Sequence, residues 1–295
     1  MELIHAVSPR QIKIAVFDFD GTLSLLRTGW QQTMVDLMSE VLSAAAADVP
    51  TALISLPDLT VPRVRHSFQR DSPEFTAYLR NLVDNSTGRQ TIDQMLMLAQ
   101  LENELAPHGG KKDEERFSER ALQLKVIYLA RLEALMSGRL ESLRSDSRMA
   151  SDLLIGGAAD FLAWLDSRDV KLCLISGTDR ASVVAEANLL GIGDFFGDRI
   201  FGGLDVTGGF TKYRAMQQVI AREAADKSQV VTFGDGIMDV RSAADVGALA
   251  VGVASDETKQ RPLDPVKRRQ LIDAGADAII GDYRRFPEWI GQLMV

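Results

Sequence analysis

A chain of 295 residues exceeds a typical single domain, so one large domain plus an inserted or appended one is the default expectation. An apolar fraction of 46% is ample for a packed core and excludes a disordered chain. The formal net charge of -8 opposes a nucleic-acid partner, because phosphate backbones are held through an excess of Lys and Arg.

Met1-Glu2-Leu3-Ile4-His5 has no basic region leading into an apolar stretch, and no segment approaches a membrane span. A soluble cytoplasmic protein without a membrane partner is the expectation. The first β-rich run, 12–17, ends in Asp18-Phe19-Asp20-Gly21-Thr22-Leu23. Strand side chains alternate, so Asp18 and Asp20 project the same way from a strand's carboxyl end, where open α/β sheets bind ligands. Two carboxylates facing one phosphoryl group can divide the labour, one as nucleophile and one as general acid/base. An Asp-x-Asp alone is more often a turn or helix cap. Gly21-Thr22 shifts that balance, since Gly lets the backbone approach a phosphate and its N–H can donate to it.

From 24 to 151 the pattern is helical. Trp30, Met34, Leu37, Val41 and Ala45 recur at helical spacing, as do Phe75, Tyr78, Leu79, Leu82 and Val83. Ser72-Pro73 reads as a helix start, with Ser at the cap and Pro at the first helical position. Thr91-Ile92-Asp93-Gln94 reads as a capping box, and Ala106-Pro107-His108-Gly109-Gly110 ends that helix. A long helix follows, with Ala121, Leu124, Tyr128, Leu132 and Leu135 on one stripe.

After 152, short β-rich runs at 170–175, 230–233, 248–253 and 278–280 alternate with helical patterns at 158–167, 179–190 and 213–225. Continuous apolar runs of this kind mark fully buried parallel strands. The fold class expected is therefore α/β, a Rossmann-like parallel sheet core of 1–23 and 152–295, with an all-helical domain of 24–151 inserted in it. The lone Cys173 lies in an apolar run and reads as a buried, inert thiol. His5, His66 and His108 are isolated, with no zinc spacing. Ser176-Gly177-Thr178 closes the second core run, where hydroxyl and N–H groups can hold an anion. Lys212 precedes the helical pattern at 213 and follows the glycine-rich stretch 202–209. Gly234-Asp235-Gly236-Ile237-Met238-Asp239 follows the run 230–233. The basic cluster Lys259, Arg261, Lys267, Arg268, Arg269 reads as a solvated helix face.

In this order, the four segments around Asp18, Ser176, Lys212 and Asp235 resemble the signature of the haloacid dehalogenase superfamily. Most of its members are magnesium-dependent phosphatases that work through a phosphorylated aspartate. The resemblance implies Asp18 as nucleophile and Asp20 as the acid that protonates the leaving alkoxide and then activates water. It implies Gly21, Ser176 and Gly177 as phosphate binders, with Thr178 and Asp179 as helix-start residues. Lys212 would neutralise Asp18 and the phosphoryl oxygens. Mg2+ would be held by Asp18, Asp235 and the backbone carbonyl of Asp20, with Asp239 acting through water or by orienting Lys212. Four carboxylates converging on one strand edge would also repel strongly without a cation. The dehalogenases of the superfamily lack an acid at the position of Asp20, which favours phosphatase chemistry.

A helical insert directly after the first motif is similar to a superfamily cap that closes over the site, with hinges near 24–26 and 144–151. Specificity is expected from the insert, with Arg27, Trp30 and Arg89 as candidates. The polar turn Thr87-Gly88-Arg89-Gln90 favours a sugar phosphate among small phosphate esters. The rival readings are a sugar-phosphate mutase and a catalytically retired protein that senses a phosphometabolite.

Overall fold

The computed structural model describes all residues except 46–47, 50–67, 70–71, 106–113, 204–209 and 259–260. In chain order its elements begin with β1 (Glu2–Leu3), β2 (Ile14–Phe17), α1 (Trp30–Ala45), β3 (Asp48–Val49) and β4 (Phe68–Gln69). Helices α2 (Pro73–Ser86), α3 (Thr91–Leu105), α4 (Glu114–Ser145) and α5 (Ala158–Asp166) follow. The second half alternates: β5 (Lys171–Asp179), α6 (Arg180–Leu189), β6 (Ile200–Gly203), α7 (Lys212–Arg222), β7 (Val230–Gly234) and α8 (Ile237–Val246). It ends with β8 (Leu249–Val253), α9 (Pro265–Asp273), β9 (Ala278–Ile280) and α10 (Phe286–Trp289).

Seven strands form one sheet in the order β1-β9-β8-β7-β2-β5-β6, parallel throughout except for β1 at the edge. Both faces are covered. Ala15 and Phe17 look into one apolar cluster, while Ile14 and Val16 look into the other. Under the first face Phe17 stacks on Phe233 at 4.9 Å between ring centroids, and Phe161 and Tyr283 close the group. Burial of such rings anchors the sheet, each contributing about 2–3 kcal/mol of apolar transfer. Strand β2 sits centrally: the chain runs from it outward to β5 and β6 on one side, then crosses back to β7, β8 and β9 on the other. This is the switch point at which parallel sheets bind ligands. Phe17 pairs in register with Leu174 and with Phe233, so Asp18, Ser176 and Asp235 lie within one residue of the same level on neighbouring strands, although β5 itself runs on to Asp179.

The insert is a set of helices packed on one another over that edge. Ser72 caps α2 by accepting from Phe75 N–H at 3.1 Å, with Pro73 at its first position, as expected. On α1 Met34, Leu37, Met38 and Leu42 are buried, and on α4 Ala121, Leu124, Tyr128 and Leu132. Leu135 does not continue that stripe. It is 37% exposed and Met136 is buried instead, because steps of four from Leu124 reach position 136. The capping box at Thr91 is not formed either. Helix α3 already starts at Thr91, and Gln94 turns away to donate to Ser86 O and Oγ, tying α3 to the end of α2. The insert also contains one antiparallel pair, β3 with β4, beside its helices.

The two links to the core run together. Leu25 N–H donates to Leu153 O and Ile155 N–H to Leu23 O, at 2.8 and 2.9 Å. The stretch 144–151, expected as a hinge, is the last turn of α4 followed by a 3-10 turn over Ser147–Leu153. Strands β1 and β6 had no counterpart in the sequence reading. The helix-ending segment 106–110, the 204–209 part of the glycine-rich stretch, His66 and Lys259 lie outside the described residues. Among the described residues no helix is long and apolar enough to cross a membrane.

Candidate active site

Core residues after β2 and β7 and at the end of β5 meet three insert segments, around Trp30, Arg89 and Tyr128, at the carboxyl edge of the sheet. Lys212, the first residue of α7, is buried and reaches across the edge. Its Nζ donates to Asp18 Oδ1 and to Asp239 Oδ1, each at 2.5 Å. Thr211 caps α7 by accepting from Arg214 N–H, which fixes the helix start that aims the lysine. Both oxygens of Asp239 are engaged, because its Oδ2 accepts from Gly236 N–H at the start of α8. Burial opposes a charge on Lys212, but Asp18 and Asp239 outweigh it and hold the ammonium firmly protonated.

Asp20 has a different environment. Thr178 Oγ1 donates to its Oδ2 at 2.9 Å. Its Oδ1 is buried without a hydrogen bond and faces Arg27 Nε at 3.6 Å. Arg27 is itself committed to Glu186 on α6, with Nε–Oε2 at 3.0 Å and Nη2–Oε1 at 2.5 Å. Burial pushes Asp20 up to about 7, against the pull of Arg27. Burial likewise lifts Asp18 to about 6, with Lys212 pulling it back. The two carboxylates on one wall thus differ in partner and in proton affinity.

Asp235, after β7, is also raised by burial, to about 6. Its Oδ2 accepts from Lys267 Nζ at 2.6 Å, and that ammonium also donates to Glu257 Oε1 at 2.9 Å. Asp18, Asp235 and Asp239 can each offer an oxygen within 4.8 Å of one another. An all-oxygen set of this kind fits a hard divalent cation such as Mg2+. The repulsion expected between the carboxylates is partly met by the protein's own Lys212, Lys267 and Arg27. Glu186 and Glu257 join the group, however, and negative groups still outnumber positive ones.

Every motif residue expected from the sequence lies at this edge, but several act differently. Gly21 N–H, expected as a phosphate donor, is already bonded to Ser24 O at 2.9 Å. The need for glycine there is steric: φ is +75°, and a Cβ would lie 2.1 Å from Asp235 Oδ2. Ser176 Oγ accepts from Thr178 N–H at 3.1 Å. Strand β5 runs on to Asp179, which is the N-cap residue of α6 as expected but makes no side-chain cap hydrogen bond, whereas Thr178 lies within the strand and is not a helix-start residue. Thr178 holds Asp20, and Asp179 receives the buried Lys125 of α4 at 2.8 Å. Lys267, expected on a solvated face, points inward, while Arg268 pairs with Glu2 and Arg261 and Arg269 are exposed. Cys173 is buried, with its thiol pushed up to about 12 by desolvation, as an inert cysteine should be.

The insert closes over these groups. A cavity of about 50 Å³ is lined by Asp18, Asp20, Ser176 and Asp235 from the core and by Trp30, Arg89 and Tyr128 from the insert. Arg27 also lines it, with its guanidinium tied to Glu186. Arg89 Nε is buried without a hydrogen-bond partner among the described residues. The turn carrying Arg89 touches the core at Gly177, where a Cβ would stand 2.2 Å from Arg89 O. Thr178, Glu186, Lys125, Tyr128 and Lys267 were not singled out as site residues from the sequence. None sits in a recognisable spacing, and only Thr178 adjoins a residue that was.

Comparison with known proteins gives three findings. A family model described as haloacid dehalogenase-like hydrolase matches residues 12–247. A phosphoglycolate phosphatase of Synechococcus elongatus is 35% identical over 100 residues, a match spanning 34% of this chain and 45% of that protein. The fold resembles solved structures at low identity. A β-phosphoglucomutase from Clostridium difficile superposes with a TM-score of 0.57 at 11% identity, covering 95% of each chain. A haloacid dehalogenase-like family protein from Streptococcus pneumoniae gives 0.52 at 14%, covering 95% of this chain and 99% of that one.

Proposed function

The chain belongs to the haloacid dehalogenase-like hydrolases, and from that membership we propose that it is a Mg2+-dependent phosphatase acting on a small phosphorylated metabolite. The observation that carries this reading is the unequal pair of carboxylates on one cavity wall. Asp18 is bonded to Lys212, whereas Asp20 lies beside it without a lysine and burial pushes its carboxyl up to about 7. Environments that separate two acids in this way suit them to different roles.

In the proposed reaction Asp18 attacks phosphorus, the phosphorus–alkoxide bond breaks, and Asp20 donates its proton to the departing oxygen. Asp20, now ionised, takes a proton from water as that water attacks the aspartyl-phosphate. Inorganic phosphate leaves, and Asp18 and protonated Asp20 are restored. Lys212 offsets charge on the phosphoryl oxygens, and the Ser176 hydroxyl and Gly177 N–H bind them. Asp18, Asp235 and the Asp20 carbonyl would hold Mg2+, which supplies further positive charge to the phosphoryl group. The insert excludes bulk water while the ester is cleaved.

The cavity between core and insert, about 50 Å³ and partly open to solvent, favours a small leaving group. This narrows the sugar-phosphate expectation to its smallest members and adds short phosphorylated acids, for which Arg89 is the insert's candidate partner. The phosphoglycolate phosphatase relative agrees with that choice. The test is a screen of phosphorylated metabolites for phosphate release, with and without Mg2+ and with no bisphosphate activator. Metal-dependent release from short-chain phosphates is the expected result. Isomerisation of the ester without phosphate release, dependent on added bisphosphate, would favour a mutase, and neither reaction a binding protein.

A further inference from the structure

Asp235 has two carboxylate oxygens, and the fold commits one of them. Oδ2 accepts from Lys267 Nζ at 2.6 Å, while Oδ1 has no hydrogen-bond partner among the described residues and Asp235 lines the cavity. The lysine is held in turn. Glu257 Oε1 lies 2.9 Å from its Nζ and Ser255 Oγ 3.4 Å, and Ser255 itself donates to Gly21 O. Asp264 fixes the start of α9 by accepting from Val266 and Lys267 N–H, which sets the rotation that turns Lys267 inward. A Cβ at Gly21 would lie 2.1 Å from Asp235 Oδ2 and 3.1 Å from Lys267 Nζ, so the pair is wedged against the loop of the first motif. Its side chain is only 16% exposed, and no hydrogen bond joins it to Asp18, which has its own lysine in Lys212.

We propose that Lys267 is a positioning residue that keeps Asp235 a one-oxygen ligand and so biases the site toward Mg2+ over Ca2+. The inference rests on the reading above that Asp235 holds the metal. Ca2+ takes six to eight oxygens in flexible geometry and often binds a carboxylate through both, whereas Mg2+ demands a compact octahedron completed by waters. Two-oxygen capture by Asp235 would require breaking a charge-assisted bond to a part-buried ammonium. One-oxygen binding leaves that bond intact.

The test is titration calorimetry of the metal-stripped full-length protein with MgCl2 and with CaCl2, comparing wild type with Lys267→Met, Lys267→Gln and Lys267→Arg. The quantity read is the ratio of Ca2+ to Mg2+ affinity, which cancels the general gain in cation binding from losing a positive charge. Lys267→Met should raise that ratio about tenfold or more, the equivalent of one lost charge-assisted hydrogen bond. Lys267→Arg, which can still donate to Oδ2, should return it toward the wild-type value. If Lys267→Met fails to fold, Lys267→Gln keeps a weaker neutral donor and should still raise the ratio. An unchanged ratio in a folded variant that binds Mg2+ overturns the inference alone. Absence of Mg2+ binding by the wild type would overturn the metal reading and this inference with it.

Discussion

Replacing Arg27 by Met should damage the fold before it damages recognition. Arg27 is 7% exposed, makes two hydrogen bonds to Glu186, itself 7% exposed, and faces the unbonded oxygen of Asp20. Met fills the space but leaves two buried carboxylates without their cation. Breaking a buried pair from one side costs about 3–5 kcal/mol, and in a chain of this size that lowers Tm by on the order of 10 °C. Removing both charges is a different perturbation. Arg27→Met with Glu186→Gln should recover most of the loss, because a well-packed neutral pair of similar volume is close to neutral in stability. Thermal and urea unfolding followed by circular dichroism, on the two single variants and the double, measures the coupling directly. A loss below about 1 kcal/mol for Arg27→Met, or a double variant as unstable as the sum of the singles, would refute the reasoning.

Asp20→Asn should slow hydrolysis of alkyl phosphates about 10²–10⁴-fold and that of an aryl phosphate much less, since an aryloxide departs without a proton. Steady-state rates on the two ester types check this. Gly177→Ala puts a Cβ 2.2 Å from the Arg89 carbonyl, backbone against backbone, so the insert's turn must shift. A misplacement near 1 Å costs about 100-fold in kcat/KM, and a native far-UV spectrum should accompany that loss. Asp18, Asp20 and Asp235 are raised by burial from 3.8 to about 6, 7 and 6, so the folded state binds more protons than the unfolded one between pH 4 and 7. Metal-free stability should therefore be greatest at the acid end of that window and fall as pH rises through it. Mg2+ should raise Tm more at pH 8 than at pH 5, which thermal scans at both values would read.

What the sequence revealed and what it hid divide along physical lines. The strand ends at Asp18, Ser176 and Asp235 were legible because buried parallel strands leave continuous apolar runs, with chemistry at their carboxyl tips. The start of α2 was legible because Ser72-Pro73 is a local device, completed within three residues. Lys267 was not, since its direction depends on the rotation of α9 and on a carboxylate 32 residues away. In the text it is one basic residue among several. Thr178 was hidden because β5 continues past the point where its apolar run stops. Arg27 was singled out as a lining residue of the site, but its ion pair was not. Its partner Glu186 belongs to α6, and nothing near either residue announces the pair. Strands β1 and β6, two and four residues long, offer too little pattern to register.

The central claim is a covalent phosphoryl group on Asp18. Enzyme quenched in acid during turnover of a short-chain phosphate, then reduced with borohydride, should carry homoserine at position 18 when its peptides are read by mass spectrometry. The label should be absent from Asp18→Asn and from enzyme quenched without substrate. Rapid turnover with Asp18 unmodified, or with the label on Asp20 or Asp235 instead, would contradict the account.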